Sequence, residues 1–241
     1  MPDKPLTLAT RLRTSALRRV RRLQRSGGWN EISCRYFGTR FKVDLTELVG
    51  FEIATGRFEY HHVERMLQEC RRRKPDIFID VGANIGLYTC VIGRAHAAKR
   101  LIAFEPDPAI FRELLDNIKR NNLTVDAIPA AVGAQTGVVR FKKATGENRG
   151  LGQVSDDGDD VNCVALDDHI SLSSAVIAIK MDIEGGEPAA LKGAAQLLSH
   201  NSGYAQIEAP EARAPVVIQM MQDFGWQLVW QNGLDCMFSK Q

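Results

Sequence analysis

The 241-residue sequence lacks the features that would place it in a membrane or an oxidising compartment. No apolar run approaches the roughly 18–20 residues that cross a bilayer, and the N-terminal segment has no apolar core of a secretory signal. Its five cysteines are widely spaced and form no C-x-x-C pair: Cys34, Cys70, Cys90, Cys163 and Cys236. With 44% hydrophobic residues, the chain is predicted to be a globular cytoplasmic protein with reduced thiols.

Three common ligand-binding or catalytic patterns are also missing. The five histidines form no triad. The acidic run 156–160 lacks the spaced oxygen ligands and closing Glu of a calcium loop, and is predicted to be a solvated loop. No G-x-G-x-x-G turn places a pyrophosphate on a helix N-terminus, which disfavours a nicotinamide-dependent oxidoreductase as an alternative.

Charge is distributed unevenly along the chain. Residues 1–26 contain eight basic residues against the single Asp3, a net charge of +7, within a chain whose total is +2. Apolar residues recur there at spacings of three and four, which is typical of a helix lying on a membrane surface. The sequence therefore predicts a leader (1–28) that makes peripheral contact with the inner membrane surface, or is disordered, or packs on the body. Nucleic-acid binding is not expected, since the basic charge does not continue beyond the leader.

The remaining residues, 29–241, are predicted to form one domain. A β-hairpin around Gly38 and a helix at 59–73 make up an N-terminal extension, 29–75. From residue 76 to 241, strands at 76–82, 101–105, 126–132, 176–182 and 204–208 alternate with helices near 86–97, 108–121, 187–199 and 212–224. This pattern predicts an α/β, Rossmann-like, doubly wound and mostly parallel sheet. Short runs at 138–142, 227–230 and 235–238 predict antiparallel strands at a sheet edge.

The clearest ligand-binding signal is the segment DVGANIGLYT, residues 80–89. An apolar strand runs into a glycine-containing turn that opens a helix, and ligands of open α/β sheets lie beyond the carboxyl ends of the strands. Gly82 and Gly86 allow close approach to the backbone, and Asp80 offers a carboxylate beside the turn. The spacing Gly82-x-x-x-Gly86 favours a nucleoside ligand without a diphosphate.

An acidic residue ends the next strand, in the segment FEPDP. Glu105 falls 23 residues after Gly82, close to the offset of about 20 residues at which a carboxylate binds the hydroxyls of a ribose. Its alternative role is to cap the helix that Pro108 begins, although Asp107 is better placed as N-cap.

A third polar cluster, KMDIEGGE, follows the apolar strand 176–182. Lys180 and Asp182 are two residues apart and share a face of the strand, so a structural ion pair is an alternative to a catalytic role. Glu184 lies in the following loop, and Glu208 ends the adjacent strand. Two catalytic roles are predicted for these carboxylates. Asp182 or Glu184 acts as a general base that removes a proton from a substrate hydroxyl, or Asp182 and Glu208 bind a magnesium ion that lowers the pKa of that hydroxyl.

Taken in this order, the three motifs resemble the FkbM-type family of class I S-adenosylmethionine-dependent methyltransferases, over roughly residues 43–210. The resemblance implies S-adenosylmethionine as cofactor and O-methylation of a sugar, glycan or natural-product hydroxyl, hence a small-molecule or carbohydrate acceptor. It implies cofactor contacts from Asp80, Gly82, Asn84, Gly86 and Glu105, and an active-site edge from Lys180, Asp182, Glu184 and Glu208. Gly56-Arg57-Phe58-Glu59 resembles the family's segment before the first strand, which places Glu59 near the cofactor. A non-catalytic cofactor-binding module is the remaining alternative.

Overall fold

A seven-stranded sheet forms the centre of the computed structural model, which describes residues 14–18, 30–146 and 148–241. Its strand order is β12-β13-β11-β10-β3-β4-β5. The strands are β3 (Ile77–Val81), β4 (Arg100–Phe104), β5 (Asp126–Ile128), β10 (Val176–Met181), β11 (Ser202–Glu208), β12 (Gln227–Asn232) and β13 (Asp235–Lys240). The parallel strands are β3, β4, β5, β10 and β11, and β13 and β12 add antiparallel strands at one edge. This confirms the predicted doubly wound architecture.

Helices cover both faces of this sheet, because each central strand is apolar on both sides. Phe78, Ala103 and Ala178 face one hydrophobic cluster, while Ile77, Ile79 and Ile179 face the other. The first cluster contains α1 (Leu48–Thr55), α2 (Tyr60–Arg73), α3 (Leu87–Arg94) and α4 (Pro108–Arg120). The second contains α5 (Leu166–His169), α6 (Glu187–Lys192), α7 (Ala195–His200) and α8 (Ala214–Asp223).

The predicted hairpin is formed by β1 (Glu31–Tyr36) and β2 (Thr39–Asp44), and it packs on the first cluster with Phe41 and Val43. Of the basic leader, only residues 14–18 are described; they are helical, and Leu17 packs against the same cluster. The rest of the predicted membrane-surface helix lies outside the described residues. Among the described residues, no helix combines the length and apolar character needed to cross a bilayer.

A second, four-stranded sheet occupies the segment between β5 and β10, with the order β6-β9-β7-β8. Its strands are β6 (Ala131–Val132), β7 (Gly137–Lys142), β8 (Gln153–Val154) and β9 (Asp159–Val164). The prediction of one strand over 126–132 was wrong: Pro129 interrupts it, and Ala131 pairs with Cys163 in the second sheet. The 138–142 strand likewise belongs to this sheet and not to the edge of the main one, and Asp159 and Asp160 begin β9 instead of lying in a loop.

The helix predicted over 187–199 is also divided, into α6 and α7. A Cβ on Gly193 would lie 2.1 Å from the Gly133 carbonyl oxygen, so the chain passes too close to its neighbour for a side chain here. Asp167 then starts α7 by accepting hydrogen bonds from the backbone N–H groups of Gln196 (2.9 Å) and Leu197 (2.8 Å).

Candidate functional site

A cleft with an empty volume of about 870 Å³, part of it open to solvent, lies at the carboxyl ends of β3, β4 and β10. In an open α/β sheet this is the position at which ligands bind. Six of the predicted site residues line it: Glu59, Gly82, Asn84, Glu105, Lys180 and Asp182. Its walls are apolar on the side of Phe104, Ile110, Val132 and Phe141.

The turn after β3 forms the floor of the cleft. The N–H groups of Gly82 (3.0 Å) and Ala83 (2.9 Å) donate to the Phe104 carbonyl. Gly82 has a φ of +76°, and a Cβ there would lie 2.0 Å from the carbonyl oxygen of Asp182. The glycine is therefore required first by the close approach of β3 to the end of β10. Gly86 does not line the cleft; a Cβ there would meet the Leu114 side chain of α4 at 2.6 Å.

Asp80 lies behind this turn and not in the cleft lining. One of its buried carboxylate oxygens, Oδ2, accepts hydrogen bonds from the N–H (2.9 Å) and hydroxyl (2.5 Å) of Thr89 in α3. It thereby fixes the helix that follows the turn. Cofactor contact by Asp80 and Gly86 stays a prediction.

Glu105 extends from the end of β4 into the cleft and is held by the backbone on both oxygens. Oε2 accepts from the N–H of Asn84 (3.0 Å) and Oε1 from the N–H of Asp107 (2.9 Å). Burial raises the pKa of the Glu105 carboxyl to about 7, against the lowering effect of these two bonds. The helix cap is a separate residue, since Asp107 accepts from Ala109 (2.7 Å) and Ile110 (3.2 Å). The carboxylate of Glu105 is thus placed to accept hydrogen bonds from a ligand.

Lys180 and Asp182 follow one another on the face of β10 that points to the cleft. Lys180 Nζ is almost fully buried and donates to Asp182 Oδ2 (3.1 Å) and to the Gly82 carbonyl (3.2 Å). Burial lowers the pKa of the Lys180 ammonium, but the carboxylates of Asp182, Asp80 and Glu59 outweigh this and raise it above its usual value. The ion pair proposed as a structural alternative is present, and it lies at the wall of the cleft.

The loop after β10 holds Glu184 outside the cleft lining. Burial, together with Asp182 and Glu187, raises the pKa of the half-buried Glu184 carboxyl to about 7. Glu187 closes this loop, because its Oε1 accepts from the N–H groups of Ile183 (3.2 Å) and Gly185 (3.0 Å).

Glu208 ends β11, directly opposite Asp235 of β13 in the strand register. Burial, with the charges of Asp182 and Asp235, raises the pKa of Glu208 to about 8. The described residues contain no group of three or more His, Cys, Asp or Glu side chains arranged to hold a metal ion. The donor set around Asp182 and Glu208 therefore does not support the predicted magnesium site.

A buried polar network next to the cleft was not predicted from the sequence. Tyr88 of α3 donates its hydroxyl to Glu59 Oε2 (2.5 Å), and Gln206 of β11 donates to the Tyr88 hydroxyl (3.0 Å) and to Asp235 (2.9 Å). Asp235 also lies 3.2 Å from His62 Nδ1. The register pairs Lys180 with Gln206, so polar residues continue across one face of three neighbouring strands. The sequence did not reveal this network because its residues come together only through the pairing of β10 with β11 and of β11 with β13.

Arg149 is a second cleft residue that sequence analysis missed. It begins a 3-10 turn, Arg149–Leu151, and its guanidinium pairs with Glu47 (Nε, 2.9 Å) and Glu113 of α4 (Nη1, 2.8 Å). The following Gly150 packs so closely on Asn84 that a Cβ would lie 2.7 Å from its Nδ2. Two ion pairs thus hold this segment against the turn after β3.

The sheet order, the turn after β3 and the acidic residue ending β4 define the class I methyltransferase fold. Solved structures share this fold. Methyltransferase FkbM from Methylobacillus flagellatus KT matches at 22% identity and a TM-score of 0.52, and the match covers 79% of this chain and 52% of that protein's chain. The tRNA (uracil-54, C5)-methyltransferase of Pyrococcus abyssi, solved with S-adenosyl-L-homocysteine, matches at 10% identity and a TM-score of 0.52. This match covers 88% of this chain and 44% of that protein's chain. At these identities the likeness establishes the fold alone.

The chain belongs to the FkbM methyltransferase family, since residues 80–225 match the Methyltransferase FkbM domain. The hexuronic acid methyltransferase AglP of Haloferax volcanii is 28% identical over 160 residues. That alignment covers 65% of this chain and 64% of AglP, so the chain spans less than two thirds of this relative.

Proposed function

We propose that this chain is an S-adenosylmethionine-dependent methyltransferase that methylates a hydroxyl of a carbohydrate or similar small-molecule acceptor. The observation that carries this proposal is the position of Glu105, whose carboxylate lies beside the turn after β3 and lines the cleft at the carboxyl ends of the parallel strands. Family membership supports the same reaction class.

The cleft lining matches the chemistry of the cofactor. Glu105 suits the ribose diol, because a carboxylate accepts hydrogen bonds from both hydroxyls. The apolar wall at Phe104 and Ile110 suits an adenine ring. Glu59, on the other side, suits the positive charges of the methionine portion. A nicotinamide dinucleotide remains disfavoured because the turn lacks the pyrophosphate-binding glycine pattern.

A hydroxyl acceptor is favoured over an acidic one by the charges at the site. Among the described residues that line the cleft, the two basic ones are already paired: Lys180 with Asp182, and Arg149 with Glu47 and Glu113. The lining and its surroundings are otherwise rich in carboxylates, which would repel an anionic group. The relation to a hexuronic acid methyltransferase supports a sugar as the acceptor, and the charges at this site favour a neutral sugar over an acidic one.

Asp182 is our candidate for the general base. When bound, S-adenosylmethionine supplies an electrophilic methyl group, and the acceptor hydroxyl must lose its proton as the new bond forms. Asp182 lines the cleft, and Lys180 engages only one of its carboxylate oxygens, Oδ2. The ion pair orients the carboxylate, and the other oxygen takes up the proton. Glu184 remains a second candidate, farther from the cleft.

Methyl transfer to a panel of acceptors tests this proposal. The purified chain should transfer a deuterated methyl group from S-adenosylmethionine to hydroxyl-bearing sugars or glycosides, detected by mass spectrometry. Binding of the cofactor without transfer to any acceptor would favour the non-catalytic module. Transfer to an acceptor nitrogen or carbon atom would contradict O-methylation.

A further inference from the structure

Glu59 has an unusual backbone for the residue that precedes a helix. Its φ of +47° lies in the left-handed region, which side chains other than glycine seldom adopt. Its carboxylate does not cap α2. It lines the cleft and accepts the hydroxyl of Tyr88 at 2.5 Å. Such strain persists only where surrounding contacts fix the residue, and Tyr88 is one of these contacts.

The direction of the hydrogen bonds through Tyr88 is determined by Gln206. The Gln206 amide nitrogen lies 2.9 Å from the Asp235 carboxylate, and the opposite amide orientation would bring two oxygens together. This nitrogen also donates to the Tyr88 oxygen at 3.0 Å. The single hydroxyl proton of Tyr88 is therefore directed to Glu59.

We propose that Tyr88 is a positioning residue for cofactor binding, which holds the Glu59 carboxylate in the cleft through its hydroxyl, with Gln206 and Asp235 fixing the orientation of that hydroxyl. The proposal rests on the proposed function, in which Glu59 faces the positive charges of the methyl donor. Tyr88 borders the cleft but is almost fully buried, and its ring packs beside Lys180, whose Nζ lies 5.5 Å from the ring centroid. Its hydroxyl is already engaged by Glu59 and Gln206. Tyr88 thus acts through Glu59.

The hydroxyl also affects the ionisation of Glu59. Burial raises the pKa of Glu59, whereas the bond from Tyr88 lowers it. The other charged or titratable groups that act on Glu59 come from β1, α2, β10, β11 and β13: Tyr36, His62, Lys180, Asp182, Glu208 and Asp235. Loss of the Tyr88 hydroxyl leaves all of these in place, so its effect on Glu59 can be measured separately.

A double-mutant cycle on S-adenosylhomocysteine binding, measured by titration calorimetry, tests the proposal. Tyr88→Phe should raise Kd about tenfold at pH 7 in the otherwise native chain, and by less than about twofold when Glu59→Gln is already present. The ratio of variant to native Kd should fall as the pH is raised, because burial raises the pKa of Glu59 and loss of the Tyr88 hydrogen bond raises it further, so the variant loses more of its ionised carboxylate at the lower pH. Gln206→Met, a second variant, should raise Kd in the same direction.

The matched control is Tyr204→Phe. Tyr204 is also buried, on β11, but its hydroxyl has no hydrogen-bond partner in the described part of the chain. This variant should leave Kd unchanged. Equal effects of Tyr88→Phe with and without Glu59→Gln, or native affinity in both Tyr88→Phe and Gln206→Met, would overturn the positioning role and leave the proposed function intact. No binding to the native chain would overturn both.

Discussion

Replacing Glu105 by glutamine should weaken cofactor binding and remove a specific part of its pH dependence. Each oxygen of the Glu105 carboxylate accepts one backbone N–H, from Asn84 and Asp107, and each retains capacity to accept a ribose hydroxyl. In Glu105→Gln one oxygen becomes an amide nitrogen. That nitrogen faces a backbone donor and can accept nothing from the ribose.

The expected magnitude follows from these contacts. A hydrogen bond to a charged acceptor contributes about 1.5–3 kcal/mol, so the loss of one of them should raise Kd by about 10- to 150-fold. A second effect comes from the pKa of Glu105, which is about 7 in the ligand-free protein. If only the ionised carboxylate binds the ribose, native affinity at pH 6 should be about tenfold weaker than at pH 8.

Titration calorimetry with S-adenosylhomocysteine from pH 6 to pH 8 measures both effects. Glu59 and Glu208 are retained in both proteins, so the ratio of the two affinities at each pH isolates Glu105. The ratio of native to variant affinity should increase with pH, with its midpoint near pH 7. Asp167→Asn is the matched control, because Asp167 also accepts two backbone N–H groups but does not line the cleft. A ratio that is flat and close to one would refute the ribose assignment.

Asp182→Asn should lower kcat by about 100-fold or more and leave cofactor affinity unchanged, because an amide keeps the shape of the carboxylate but takes up no proton. Turnover should not respond to a chelator. The control is Asp116→Asn, at an exposed position of α4, and an equal loss of kcat in this variant would contradict the role of Asp182 as base. Gly82→Ala should lower the free energy of unfolding by about 1–3 kcal/mol more than Gly38→Ala, measured from denaturant midpoints. Gly38 has nearly the same φ, +75°, but open space around it, so equal losses would contradict the close approach. Replacing the five arginines between residues 18 and 25 by glutamine should abolish co-sedimentation with anionic liposomes and preserve turnover, and unchanged sedimentation would contradict membrane contact.

The central sheet could be predicted because its signals are local. Segments such as Ile77–Val81 are buried on both faces and alternate along the chain with helical segments, and this combination is typical of a parallel sheet. The Gly82 turn and Glu105 follow two of these strands directly, so the topology brings them together without knowledge of distant contacts.

The interruptions of helices and strands were not predictable in the same way. Gly193 divides a helix because the chain meets Gly133, sixty residues earlier, and no local pattern indicates that contact. Pro129 was a local signal for the break after β5, but the pairing partner of the next strand, Cys163, lies far along the sequence.

The site was predicted where its residues follow strands, and missed where it depends on pairing between elements. Gln206 and Asp235 enter the network through the register of β11 and β13. Arg149 reaches the cleft from the segment beside the second sheet. Tyr88 belongs to a recognised motif, but its hydroxyl has a role only once α2 brings Glu59 beside it.

Binding of the native chain to S-adenosylmethionine, compared with binding to an oxidised nicotinamide dinucleotide under the same conditions, tests the account most directly. Titration calorimetry should give a micromolar Kd for S-adenosylmethionine, about −8 kcal/mol, with one site per chain, and no saturable binding of the dinucleotide. Binding of the dinucleotide with no binding of S-adenosylmethionine would contradict the assignment of the cleft between Gly82, Glu105 and Asp182.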